Sequence, residues 1–308
     1  MIIRKPGKVC DGLWYLGHEE SGVYLLDGGD EAMIINGGLR YIVPEVLRQF
    51  DEFGLNEEKI RKFLILHSHF DHVGMVPFFK RRHSDLEIHA SGRAWKVLRA
   101  EDAIDTINEF SRRVTEKMGM ADRCTGYDLD WRDDVSGVTV SEGDRISVGD
   151  TELHILETPG HSSCHISAYA PQLKVLFPSD GGGVPYKGTI IPAGNSNYTQ
   201  FQHSLERLKD LKFDYLCADH YGCFAGEEAW NFIPRSIDLA REHRAVMEEA
   251  YRWAGSVAAA AQGMTTSFYA ENPDYFLSPE ILEAVYRQMI RHIAKDLDGQ
   301  ANGGKGKG

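Results

Sequence analysis

The chain is poor in cysteine, in basic residues and in long apolar runs. Each shortage excludes something. Its five cysteines, Cys10, Cys124, Cys164, Cys217 and Cys223, are odd in number and widely spaced, with no C-x-x-C pair. That excludes a disulfide framework and a thiolate-bound structural zinc, and free thiols fit a reducing compartment. The longest apolar run, Val257–Ala261, is far below the ~18 residues of a membrane-spanning helix. Met1–Cys10 lacks the apolar segment of a signal peptide. The expectation is therefore a cytoplasmic protein with no membrane partner. Lys and Arg number 34 against 46 Asp and Glu, for a net charge of −12. A nucleic-acid backbone binder needs a basic face, and Lys80-Arg81-Arg82 is too short to make one, so it reads as a solvated helix end.

What remains is ordinary globular composition, 42% apolar and 26% charged over 308 residues. The length suits one large domain or two small ones. Thirteen histidines are the unusual feature.

Short β-rich runs open the chain at Leu13–Leu16, Val23–Leu26 and Met33–Ile35, punctuated by glycines. Helical spacing of Val46, Leu47, Phe50 and Phe53 predicts a helix from Pro44 to Phe53. Phe63-Leu64-Ile65-Leu66 reads as a strand buried on both faces. Gly92–Met120 reads as helical, and strand signals return between Val138 and Phe177. A helix over Thr199–Leu211 and a strand at Tyr215–Cys217 follow. Beyond about Gly226 only helices are predicted, Ala229–Gly255 and Pro279–Leu297. This divides the chain into a mixed α/β part, 1–225, with a helical insertion near 95–122, and a helical extension over 226–298. Residues 299–308 are Gly/Lys-rich and are expected to be unstructured.

His67-Ser68-His69-Phe70-Asp71-His72 directly follows the Phe63–Leu66 strand. Residues two apart on extended backbone point the same way, so His67 and His69 can face one metal ion. Asp71 and His72 can face a second point nearby. Further candidate ligands follow other predicted strands: His161 in Thr158-Pro159-Gly160-His161, Asp180 after Ser179, and His220 after Asp219. Imidazole and carboxylate suit zinc, iron or manganese, and a carboxylate such as Asp180 has two oxygens with which to bridge two cations.

These residues resemble the metallo-β-lactamase superfamily of hydrolases. His67-x-His69-x-Asp71-His72, His161, Asp180 and His220 match its ligand motifs in order over roughly residues 10–225. The resemblance implies a four-layer αβ/βα sandwich, here with a helical insertion and a helical C-terminal extension over the site. It implies two divalent metal ions, zinc first, with iron or manganese as alternatives. By it, His67, His69 and His161 hold one ion, Asp71, His72 and His220 hold the other, and Asp180 bridges.

The segment from Thr158 to Ser167 looks most like the glyoxalase II and lactonase branch. That branch usually has Gly where Cys164 stands, and Gly-Asp where this chain has Ser179-Asp180. The insertion and C-terminal helices resemble a smaller group, typified by the thioesterase of bacterial alkylquinolone synthesis that cleaves 2-aminobenzoylacetyl-CoA, and this likeness bears on the shape of the substrate cover. Two cations can share a water and acidify it toward neutral pH for attack on a carbonyl. The expected reaction is hydrolysis of a small-molecule acyl substrate, a thioester before an ester or lactone. Asp71 is a candidate for orienting the nucleophile, and Tyr186 and Tyr198 for holding the carbonyl. Met118, Met120, Phe268, Tyr269, Tyr275 and Phe276 are candidate walls of an acyl pocket, and His165 a candidate support for the ligands. The competing expectations are a single-iron persulfide-oxidising enzyme and a binding or regulatory protein. A homodimer through the helices stays open.

Overall fold

The computed structural model describes residues 1–303. The chain begins with strands β1 (Ile2–Ile3), β2 (Gly7–Cys10), β3 (Leu13–His18), β4 (Ser21–Asp27) and β5 (Ala32–Ile35). Helix α1 (Val43–Phe53), β6 (Ile60–Leu64), α2 (Val76–Arg82), β7 (Glu87–Ser91), α3 (Gly92–Leu98), α4 (Glu101–Lys117) and β8 (Val138–Val140) follow. Strands β2 to β8 form one sheet in chain order. It is antiparallel from β2 to β5 and parallel from β5 to β8.

The second half contributes β9 (Arg145–Val148), β10 (Thr151–Glu157), β11 (Ile166–Ala170), β12 (Val175–Phe177), a hairpin β13 (Val184–Tyr186) and β14 (Thr189–Ile191), α5 (Tyr198–Leu208), β15 (Tyr215–Cys217) and β16 (Cys223–Ala225). The second sheet runs β1-β16-β15-β12-β11-β10-β9. Its one parallel pairing, β12 with β15, lies at its centre. Helices α6 (Glu227–Trp230), α7 (Phe232–Ala254), α8 (Val257–Glu271) and α9 (Pro279–Gly303) come last.

Alternation along the strands explains the layers. On β4, Tyr24 and Leu26 point between the sheets, where they meet Ile155, Ile166 and Phe177 of the second sheet. Val23 and Leu25 point outward onto α1 and α2, through Val46, Phe50 and Phe79. On the other side, Leu176 and Leu216 pack against Phe201, Leu205 and Ile233 of α5 and α7. Two apolar faces per sheet leave each sheet covered twice. The result is the expected αβ/βα sandwich with a helical C-terminal region. Phe63–Leu66 is fully buried, although regular pairing on β6 ends at Leu64. Ile65 and Leu66 then bond to His89 and Ile166.

Three details differ from the sequence expectation. The insertion is two helices, broken between Leu98 and Glu101, not one. Helix α8 is additional, because its run of alanines marks no narrow apolar stripe for the periodicity to register. Residues 299–303 continue α9 in place of the expected unstructured tail, and 304–308 lie outside the described residues. Among the described residues, no helix is long and apolar enough to cross a membrane.

Candidate metal centre

Strand ends assemble the site. His67–His72 leave the carboxyl end of β6, His161 lies in the β10–β11 turn, Asp180 follows β12 and His220 follows β15. The four segments converge at one edge of the sandwich. The turn before His161 depends on Gly160, at φ +132°. A Cβ there would stand 2.2 Å from the Phe201 backbone nitrogen. Ser196 and Asn197 donate backbone N–H groups to the Gly160 carbonyl at 3.0 and 2.9 Å, fixing the turn.

Seven side chains fall into two triads joined by a carboxylate. The Nε2 of His161 lies 3.1 Å from Nε2 of His67 and 2.9 Å from Nδ1 of His69. Nε2 of His72 and Nε2 of His220 are 3.3 Å apart, with Oδ2 of Asp71 at 3.6 and 3.8 Å from them. Asp180 lies between the triads. Its Oδ2 is 3.5 Å from His161 and 3.3 Å from His72, and its Oδ1 is 3.5 Å from His220. His67, His69 and His161 could hold one ion, and Asp71, His72 and His220 another.

The donor chemistry fits cations. His161 Nδ1 donates to the Ala193 carbonyl at 2.8 Å, and His220 Nδ1 to the Glu20 carbonyl at 2.6 Å. A carbonyl only accepts, so the proton of each neutral ring sits on Nδ1 and Nε2 presents a lone pair. Three ring nitrogens, His161 Nε2, His67 Nε2 and His69 Nδ1, then converge with too few protons to share. Tetrahedral nitrogen ligands at zinc distances stand roughly 3.3 Å apart, close to what is seen.

The electrostatics agree. Burial, and then the neighbouring imidazoles His72, His161 and His69, hold His67 well below the usual histidine range. Burial also lowers His69 and His161, against the pull of Asp71 and Asp180 respectively. Burial thus favours the neutral ring at these positions, the form that binds metal. Burial opposes charge on His72 too, but Asp71, Asp180 and Asp219 outweigh it and raise its pKa well above the usual value. Burial likewise works against the Asp180 carboxylate, yet His72, His220 and His161 hold it well below its ordinary range. The field between the triads calls for positive charge.

Five of these seven side chains face a cavity of ≈ 650 Å³. His69, Asp71, His161, Asp180 and His220 form its polar end. Its walls are apolar: Ile107 and Phe110 of α4, Tyr275 and Phe276 before α9, and Leu282, Val285 and Met289 of α9. The Phe276 ring stacks on His220, centroids 5.3 Å apart and planes at 30°. The extension therefore touches a candidate ligand directly. Lys117 of α4 donates to the Tyr275 carbonyl at 2.8 Å, and Tyr269 to the Leu277 carbonyl at 2.8 Å, pinning the covering segment.

The two candidate phenols lie elsewhere. Tyr198 is fully buried, and its hydroxyl donates to the Ala240 carbonyl at 3.0 Å. It is a core residue of α5, and the expectation that it holds a carbonyl is corrected. Tyr186 packs edge-on against Tyr275 at 5.0 Å, one ring behind the cavity wall. Of the six candidate pocket residues, Tyr275 and Phe276 line the cavity; Met118, Met120, Phe268 and Tyr269 pack behind it. His165 takes Gly181 N–H on Nε2 at 3.0 Å and meets Thr158 Oγ1 through Nδ1. Burial lowers its pKa to about 3. Cys164 Sγ lies 3.3 Å from Ser68 Oγ and 3.2 Å from Ser162 Oγ at the cavity wall.

Sequence reasoning assigns no role to Asn36, Ser179 or Asp219, though all three bond to imidazoles of the two triads. The one signal that could have found any of them is the Ser179 departure from the resembled branch.

The sequence pattern of the metallo-beta-lactamase superfamily matches residues 18–220. An acyl-coenzyme A thioesterase, MBLAC2 of Homo sapiens, is 25% identical over 281 residues, 83% of this chain and 95% of that protein. A hydroxyacylglutathione hydrolase of Legionella pneumophila is 27% identical over 171 residues, 50% of this chain and 53% of that protein. Among solved structures, a metallo-beta-lactamase family protein from Thermus thermophilus aligns with a TM-score of 0.66 at 18% identity, over 96% of this chain and 95% of that one.

Proposed function

The chain belongs to the metallo-beta-lactamase superfamily, and on that footing we propose that it is a dinuclear metal-dependent hydrolase cleaving a thioester with a sizeable apolar acyl group. One observation carries this reading: two ligand triads joined by Asp180 open onto a ≈ 650 Å³ cavity with apolar walls. A relative of nearly equal length named as an acyl-coenzyme A thioesterase favours a thioester over a lactone.

His67, His69 and His161 would hold one ion, Asp71, His72 and His220 the second, and Asp180 both. Zinc suits this donor set first, with iron or manganese also compatible. Bound there, two cations supply a Lewis acid for the carbonyl and a water acidic enough to lose its proton near neutral pH. The protein's own part is positional. Ile107, Phe110 and Leu282 bind the acyl group and exclude water. That orients the carbonyl toward the polar end, and Asp71 accepts a hydrogen bond from the attacking water. Tyr186 packs edge-on against Tyr275 and so supports the covering segment from behind. We assign no step to Tyr198.

The test is a series of acyl-CoA thioesters of increasing chain length. Each buried methylene is worth about 0.8 kcal/mol, roughly threefold to fourfold in kcat/KM. The expected profile rises until the cavity is filled and then falls. Phe110→Ala should move the optimum to bulkier acyl groups. His83→Ala should not move it, because His83 bonds Glu57 at 2.8 Å on the outer face of the fold. A profile indifferent to acyl length, or no thioester turnover with metal present, overturns the proposal.

A further inference from the structure

Ser179 sits at φ +48° and is 1% exposed. A non-glycine residue in that conformation is strained and persists only where its surroundings hold it. Here its side chain explains the retention. The Ser179 hydroxyl donates its one proton to Asp219 Oδ2. Toward His67 Nδ1, at 3.3 Å, it can then only accept, so the His67 proton is on Nδ1. His72 Nδ1 lies 3.1 Å from the same Asp219 Oδ2 and 3.1 Å from Asn36 Oδ1. The Asn36 amide nitrogen is engaged with the Gly22 carbonyl at 2.7 Å, which fixes Oδ1 as an acceptor. His72 Nδ1 therefore also carries its proton. In both rings Nε2 is left to face the ligand cluster.

We infer that Ser179 and Asp219 are positioning residues that serve both ion sites at once. One carboxylate oxygen sets the ring orientation and tautomer of His72 in the second triad. Through the Ser179 hydroxyl it sets those of His67 in the first. Asp219 is 2% exposed, and its carbonyl accepts Gly22 N–H at 2.7 Å. Tyr24 donates to the Ala218 carbonyl at 2.6 Å. The carboxylate is thus mounted on a fixed segment. Groups that orient metal-bound histidines typically change affinity by about 10- to 100-fold when removed. This inference rests on the reading that the triads hold ions.

It predicts a site-resolved pattern. Ser179→Ala and Ser179→Gly should each weaken the His67-His69-His161 site about tenfold or more and leave the second site within about threefold. Asp219→Asn should weaken both. The two Ser179 variants separate the relay from backbone strain, since glycine relieves the positive φ and alanine does not. If strain were all that Ser179 contributes, the glycine variant would bind like wild type or better. The experiment follows Zn²⁺ release from the full chain to a chromophoric chelator of known affinity. His69→Ala and His220→Ala assign the two release steps. Co²⁺ absorption spectra of the same variants report the ligand geometry at each site independently of turnover. Two release steps in wild type, with neither shifted in Ser179→Ala and Ser179→Gly, overturn this inference alone. No ion released by wild type overturns the dinuclear reading, and this one with it.

Discussion

Asp180→Ala is expected to lower kcat/KM on the preferred thioester by about a thousandfold or more, equivalent to roughly 4 kcal/mol of transition-state stabilisation. The size follows from its position. Its two oxygens are the only carboxylate atoms within 3.5 Å of both His161 of one triad and His72 and His220 of the other, among the described residues. Removing them loosens both ion sites and frees the spacing between them. It also strips the charge that balances His72 in a pocket where the carboxylate is only 6% exposed. Loss of one partner in a buried charge network leaves the others uncompensated. The check is steady-state kinetics with metal analysis of the same sample. Turnover within tenfold of wild type would contradict the bridging role.

The second large effect is removal of metal. Treatment with a strong chelator should abolish turnover and lower the melting temperature by roughly 8–16 °C, both restored by excess Zn²⁺. An ion present at a thousand times its dissociation constant stabilises a fold by about 4 kcal/mol, and each kcal/mol moves a domain of this general size by about 2–4 °C. The buried geometry supplies the reason. His67, His72, His161 and His220 are each no more than 2% exposed, and ring nitrogens face one another at 2.9–3.3 Å. Calorimetry with and without chelator reads the shift directly. An unchanged melting temperature with full activity would contradict a structural and catalytic metal centre.

The candidate ligands and their clustering were legible in sequence for a physical reason. His67, His69, Asp71 and His72 lie within six residues, where backbone geometry alone fixes which side chains share a direction. His161, Asp180 and His220 each follow a strand of the same sheet, and strand ends gather at an edge. Their supports were not legible. Asn36, Ser179, Asp219 and the carbonyls of Glu20 and Ala193 reach the ligands across up to 200 residues of chain. Only the folded chain brings together the ends of β3, β5, β12, β14 and β15 that carry them. The tyrosines illustrate the opposite case. Tyr186 and Tyr198 follow Asp180 closely in sequence, but the β13–β14 hairpin and α5 carry them behind the wall and into the core. Tyr275, far along the chain in the helical extension, lines the cavity instead. Helical packing of the extension, which no local pattern encodes, decides that exchange.

The most direct test of the central claim is metal content per chain, by inductively coupled plasma mass spectrometry on protein purified without chelator or affinity metal. Two divalent ions per chain are predicted, from two triads sharing Asp180. One ion, and above all a single iron, would contradict the dinuclear hydrolase. So would a chain that takes up no metal when it is offered.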